Sequence, residues 1–182
     1  MGKVYVFLAD GFETVEAMAP IDVMRRAGLQ VVVVSIMGRL EVVSAQGVKV
    51  LADLLFDAAS FVDADALVLP GGGIGTENLS AFLPLHQLLV EMDSRAGIVA
   101  AICAAPMVLG RVGILKGRKA TCYPGCEGEL NGAIYTASCV EEDGNIITGC
   151  GPAASFDFGC AITARLCGKD VVETLRSQMQ FE

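Results

Sequence analysis

Hydrophobic positions along this chain fall into two alternating patterns. Lys3 to Leu8, Gln30 to Ser35, Ala64 to Leu69 and Ile98 to Ile102 are short runs, apolar at nearly every position and partly β-branched. Strands covered on both faces read this way. Between them Val15 to Ala27, Ala81 to Arg95, and the stretch that follows Cys103-Ala104-Ala105-Pro106 through Arg111 read as helices. The first stops at Gly28, a residue suited to a left-handed cap. This alternation predicts parallel strands joined by helices on both faces of the sheet, a flavodoxin-like doubly wound α/β fold. Leu40 to Leu51 predicts short strands around Gln46-Gly47, a hairpin on the sheet edge, and Asp143-Gly144 turns a second hairpin between Ser138 to Glu141 and Asn145 to Thr148. Residues 153–167 and the tail from Lys169 complete the series as helices. No repeat or Pro/Ser-rich linker interrupts the order, so the 182 residues read as one domain, 1–182.

Composition narrows the function classes. A net charge of −8, no Trp and three Tyr leave neither a basic surface nor a stacking platform for nucleic acid. The chain is 53% hydrophobic with a mean hydropathy of +0.56, yet no apolar run reaches the ~18 residues that span a bilayer. A large core or a homodimer interface is expected to absorb the surplus. Val4-Tyr5-Val6-Phe7-Leu8 follows Met1 without a small-residue cleavage site, and seven cysteines, an odd number, read as reduced thiols; a cytoplasmic location is expected. One histidine, His86, and no CxxC pair argue against zinc, and no cofactor is expected.

In open α/β sheets ligands bind beyond the carboxyl ends of the strands. Three such ends carry unusual residues here: Asp10 to Glu16, Pro70-Gly71-Gly72-Gly73, and Cys103. A cysteine on a sharp strand-to-helix turn is exposed, and the helix amino terminus favours its thiolate. Glycines let backbone amides approach a reacting oxygen, so the amides of Gly72 and Ala104 are candidates for an oxyanion hole. The triple glycine alone also suits a phosphate cradle or a plain loop, although it lacks the Lys and Ser/Thr of a P-loop.

Ala100-Ala101-Ile102-Cys103-Ala104-Ala105-Pro106, Val68-Leu69-Pro70-Gly71-Gly72, Pro20 through Gly28 and Gly151-Pro152 together resemble the DJ-one branch of the ThiJ/PfpI superfamily. The resemblance implies that Cys103 is the oxidisable nucleophile and that Glu16, four residues before Pro20, is the acid hydrogen-bonded to it, with Glu13 the competing candidate. It implies a substrate pocket drawing on Gly71, Gly73, Arg26, Tyr123, Gly151 and Pro152. It also implies a homodimer with the first helix and the Cys103 region near the interface. The chain departs from the family pattern at Tyr123, where a histidine is common, and at Gln46 and Cys150, where arginines are. Ala104 stands where the protease-like members carry a histidine, which argues against peptidase activity. A glutamine amidotransferase needs a downstream histidine that this chain lacks.

Two functions follow from that resemblance. One is cofactor-independent thiol chemistry on a small reactive carbonyl or a glycated substrate, of glyoxalase or deglycase type. The other is an oxidative-stress sensor or chaperone in which Cys103 is oxidised without turnover. Against both stand plainer readings: Cys103 as an inert buried thiol, Glu16 as a helix-terminal acid, and Cys150 as a small hydrophobe or a resolving thiol for Cys103.

Overall fold

The computed structural model describes residues 2–181. Strands β1 (Lys3–Leu8), β2 (Gln30–Ser35), β3 (Glu41–Val43), β4 (Lys49–Leu51), β5 (Leu54–Leu55), β6 (Ala66–Leu69), β7 (Ile98–Ile102), β8 (Lys119–Ala120), β9 (Ile134–Tyr135), β10 (Val140–Asp143) and β11 (Ile146–Gly149) alternate with helices. These are α1 (Thr14–Arg26), α2 (Gly73–Ala81), α3 (Leu83–Ser94), α4 (Pro106–Arg111), α5 (Ser155–Cys167) and α6 (Lys169–Gln178). The main sheet has seven strands in the order β10-β11-β7-β6-β1-β2-β5. Every pairing in it is parallel except β10 with β11. This is the flavodoxin-like arrangement expected from the alternation.

The apolar runs are explained by burial on two sides. Val4, Val6 and Leu8 point into one core, with Ile21, Met24, Phe158 and Ile162 of α1 and α5. Tyr5 and Phe7 point into the other, with Leu79, Leu85, Leu89 and Leu109 of α2, α3 and α4. Because successive side chains alternate faces, a strand buried on both has no polar positions to alternate. Each fully buried Leu, Ile or Phe contributes roughly 1.5–3 kcal/mol.

Helix α1 ends as its sequence dictates: Gly28, at φ 82°, donates to the Arg25 carbonyl at 3.0 Å, and Leu29 donates to the Met24 carbonyl at 3.1 Å. That is the paired bond of a glycine-terminated helix. Within α1, Pro20 supplies no N–H, so the Glu16 carbonyl loses its intrahelical donor. Gly159 of α5 packs over this point, where a Cβ would lie 2.8 Å from Pro20 Cα.

Three local expectations need correction. Residues 41–51 do form an antiparallel hairpin, but it is a separate two-stranded sheet; beyond β2 the main sheet ends in the two-residue β5. The helix expected from Ala81 starts earlier, at Gly73, and breaks at Phe82 into α2 and α3. The triple glycine is therefore a strand-to-helix turn, not a free loop. No helix of the described residues is long and apolar enough to cross a membrane.

Candidate active site

β7 ends at Ile102, and the chain must turn at once to enter α4. Cys103 makes that turn at φ 65°, a left-handed conformation that costs an L-residue roughly 1–2 kcal/mol. Flanking bonds hold it there: its N–H donates to the Gly149 carbonyl at 2.9 Å, and its carbonyl accepts from Tyr123 N–H at 2.8 Å. A strained residue over-determined by its surroundings is a common mark of function. The side chain is nearly buried, with the residue 8% exposed, and its sulfur accepts hydrogen bonds from the backbone amides of Gly72 and Ala104.

Glu16, on the first turn of α1, is fully buried at 0% exposure. One carboxyl oxygen, Oε2, accepts the Gly71 N–H at 2.9 Å, and the carboxyl is hydrogen-bonded to the Cys103 thiol. Oε1 is buried and has no hydrogen-bond partner among the described residues. Gly71 is required between them: a Cβ there would lie 2.6 Å from Glu16 Oε2, 2.7 Å from Cys103 Cβ and 2.8 Å from the Ile102 carbonyl. Gly72 at φ 90° lets its amide turn toward the sulfur.

Burial is the main influence on both groups. It pushes the Glu16 carboxyl up to about 7, against the lowering effect of Cys103 and the Gly71 amide, with the Glu13 charge adding to the rise. Burial, then the Glu16 charge, pushes the Cys103 thiol up to about 12, although the Gly72 and Ala104 amides oppose this. The helix-terminus amides expected to favour the thiolate are thus opposed by burial, because a dry pocket penalises charge on either partner. α4 has only six residues, so individual amides, and not a long helix dipole, do the stabilising. The two groups titrate as one unit: the first proton leaves near neutrality and the second is held by the resulting anion. With the carboxyl at about 7 and the thiol at about 12, the singly ionised pair keeps its proton on sulfur, from which it can pass to Glu16. When it sits on Glu16 the sulfur is a thiolate with two amide donors, which is the nucleophilic form.

The pair opens on a cavity of about 560 Å³, lined by Glu13, Gly72, Gly73, Cys103, Ala104 and Tyr123 with Pro152 at its margin. Gly151 supports the Tyr123 ring, which a Cβ would meet at 3.2 Å. Glu77, Met107 and Cys126 also line the cavity and were not foreseen. Glu77 becomes legible only once α2 is known to begin at Gly73, one turn upstream. Glu13 faces the cavity, but its carboxylate is held by the Gln46 amide at 2.8 Å and not by Cys103, so Glu16 is the thiol's partner. Arg26 is a correction: it pairs with Asp22 at 2.8 Å at the far end of α1, about 15 Å along the axis from Glu16. His86 lies on α3 and does not line the cavity.

Comparison with known proteins agrees with this fold. The DJ-1/PfpI family model matches residues 2–165. The Parkinson disease protein 7 homolog of Danio rerio is 35% identical over 181 residues, covering 97% of this chain and 96% of that protein. A DJ-1 superfamily protein of Salmonella typhimurium, STM1931, superposes with a TM-score of 0.96 at 33% identity over all of both chains. Toxoplasma gondii DJ-1, in a structure described as oxidized, does so with 0.95 at 31%, covering 100% of this chain and 99% of that one. With a family model spanning most of its length and a full-length relative above 30% identity, this chain belongs to the DJ-1/PfpI family.

Proposed function

We propose that the Cys103–Glu16 pair carries out cofactor-independent chemistry on small reactive carbonyls, of glyoxalase or deglycase type. The observation that carries this reading is a buried carboxyl, shifted to about 7, hydrogen-bonded to a thiol at the floor of a cavity. A group whose pKa lies near the working pH both gives and takes protons efficiently.

With methylglyoxal, the thiolate adds to the aldehyde carbon and the carbonyl oxygen becomes an oxyanion. Once sulfur is bonded to carbon it no longer needs the Gly72 and Ala104 amides, which are then free to receive that oxygen. Protonated, it is a hemithioacetal. Glu16 removes the hydrogen from the former aldehyde carbon and returns a proton to the neighbouring carbon, converting the adduct to a lactoyl thioester. Water attacks the thioester, lactate leaves, and the thiol is regenerated. One methylglyoxal and one water give one lactate, without an external oxidant or reductant.

The cavity also selects. Among the described residues Glu13 and Glu77 line it and no Lys or Arg does; Glu77 is paired with Arg111 at 3.2 Å, while Glu13 accepts from neutral Gln46. A surplus of negative charge favours neutral carbonyls over carboxylated or phosphorylated ones. We further propose a homodimer through α1 and the β3–β4 hairpin, whose Val15, Val48 and Leu51 are exposed at 44%, 46% and 73%. Analytical ultracentrifugation that finds only monomers removes this part.

Lactate production from methylglyoxal, followed by NMR, tests the enzymatic reading: the expected result is turnover lost in Cys103→Ser. A second reading is favoured by the same amides and by the oxidized relative: a sensor in which peroxide converts Cys103 to a sulfinate without turnover. Wild-type protein that forms the sulfinate yet makes no lactate selects the sensor.

A further inference from the structure

All seven cysteines are free thiols in the structure, and two of them outside the Cys103 pair face each other. β10 and β11 form an antiparallel hairpin whose outermost register pair is Val140 with Gly149. One step beyond, Cys139 stands opposite Cys150, and the Cys150 N–H donates to the Cys139 carbonyl at 2.9 Å. Directly opposed antiparallel residues have Cα atoms about 4.5–5.5 Å apart and side chains on one face. That falls inside the roughly 4.4–6.8 Å window that a disulfide spans without moving backbone. The two thiols lie close enough to act on each other's charge, Cys139 is exposed, and Cys150 is half-buried. By contrast Cys122, also close to another thiol, is fully buried.

We propose that Cys139 and Cys150 are a second redox centre, closing a reversible disulfide when the protein meets a hydroperoxide. In the first step the Cys139 sulfur attacks the peroxide: an S–O bond forms, the O–O bond breaks, and water or alcohol leaves, giving a sulfenic acid. In the second, the Cys150 sulfur displaces that hydroxyl as water and the S–S bond forms. The thiol pair loses two electrons and two protons, and the peroxide is reduced. Cys150 is followed by Gly151 under the Tyr123 ring and by Pro152 on the cavity margin. The bond therefore ties edge strand β10 to the segment that enters the site wall.

The test treats the full chain, in parallel with Cys103→Ser, with hydrogen peroxide, alkylates the remaining thiols, and digests without reduction for mass spectrometry. The expected result, in both proteins, is a peptide pair linking Cys139 to Cys150, lighter by two hydrogens than the reduced pair and released by dithiothreitol. Cys139→Ser, a surface substitution, should leave Cys150 alkylated. Recovery of both thiols alkylated after oxidation, separate sulfinic acids at the two positions, or a link from either to another cysteine would overturn the proposal. Because the link is sought without Cys103, its failure does not bear on carbonyl turnover.

Discussion

Two neighbouring strands of the sheet, β7 and β11, are each followed at once by a cysteine. They run parallel with Ile102 beside Gly149, so Cys103 and Cys150 occupy equivalent places just past their strands. Their surroundings differ in every respect that governs thiol chemistry. Cys103 is turned at φ 65° into a dry pocket against a buried carboxyl and two amides. Cys150 stays in the run of the hairpin, half-buried, beside a second thiol. The first setting suits the nucleophile proposed for carbonyl substrates, and the second suits half of the proposed disulfide. Residue type and place in the fold are the same; the neighbours decide the chemistry.

Swapping serine for each cysteine sharpens this comparison most. Cys103→Ser should abolish lactate formation, a loss on the order of 10⁴-fold or more, whereas Cys150→Ser should retain most of kcat/KM. Comparable losses in the two variants would erase the distinction drawn here. Next comes Glu16→Gln, which keeps the shape of the carboxyl but cannot exchange a proton. A fall in kcat of about 10²–10⁴-fold is expected, together with loss of the rise in wild-type activity through about pH 7.

The same carboxyl has a signature in stability. Its folded pKa of about 7 lies above its unfolded value of 4.5, so between these pH values the folded state holds more protons than the unfolded one. Stability therefore is greatest below about pH 4.5 and falls as pH rises toward 7, by roughly 3 kcal/mol in total from this group. Urea midpoints at pH 5 and pH 8 should differ for the wild type in that direction, and the part owed to Glu16 should vanish in Glu16→Gln. A wild-type slope unchanged by the substitution would show the carboxyl to be better solvated than its burial implies. Smaller still is Gly71→Ala, which forces a methyl against Glu16 and Cys103 and should cost about 1–3 kcal/mol of stability by denaturant titration. Gly73→Ala, where a Cβ meets nothing within 4 Å, is the matched control.

Much of the frame was legible because both faces of the sheet are buried, so β1, β2, β6 and β7 announce themselves as unbroken apolar runs. The turn at Cys103 was legible too, since a strand that stops at Cys-Ala-Ala-Pro leaves few ways to continue. What failed did so for identifiable reasons. β5, β8 and β9 are two residues each, shorter than any periodicity can register. α2 opens with Gly-Ile-Gly and carries Thr76, Glu77 and Asn78, so its sequence reads as turn until the helix packs. Arg26 shares a helix with Glu16, and the sequence does not show that its end of that helix points away from the cavity. The burial that acts on Cys103 was not legible because desolvation depends on everything folded over the sulfur, while the amides that oppose it are adjacent in sequence or carried by a glycine turn.

The glycines around the site have a consequence for substrate choice. Gly75 lets α2 lie against the β1–α1 loop, where a Cβ would stand 2.8 Å from Phe12 Cα, and Gly72 abuts the carbonyl of Gly11 in the same way. Gly11 is tied in turn to β3 through the Val43 carbonyl at 2.8 Å. Main chain rests on main chain with no cushion of side chains, so this wall behaves as a fixed socket and not as a jaw. Adaptation to a new substrate must then come from replacing rim residues such as Glu13, Glu77, Met107 and Tyr123, while the socket itself stays unaltered.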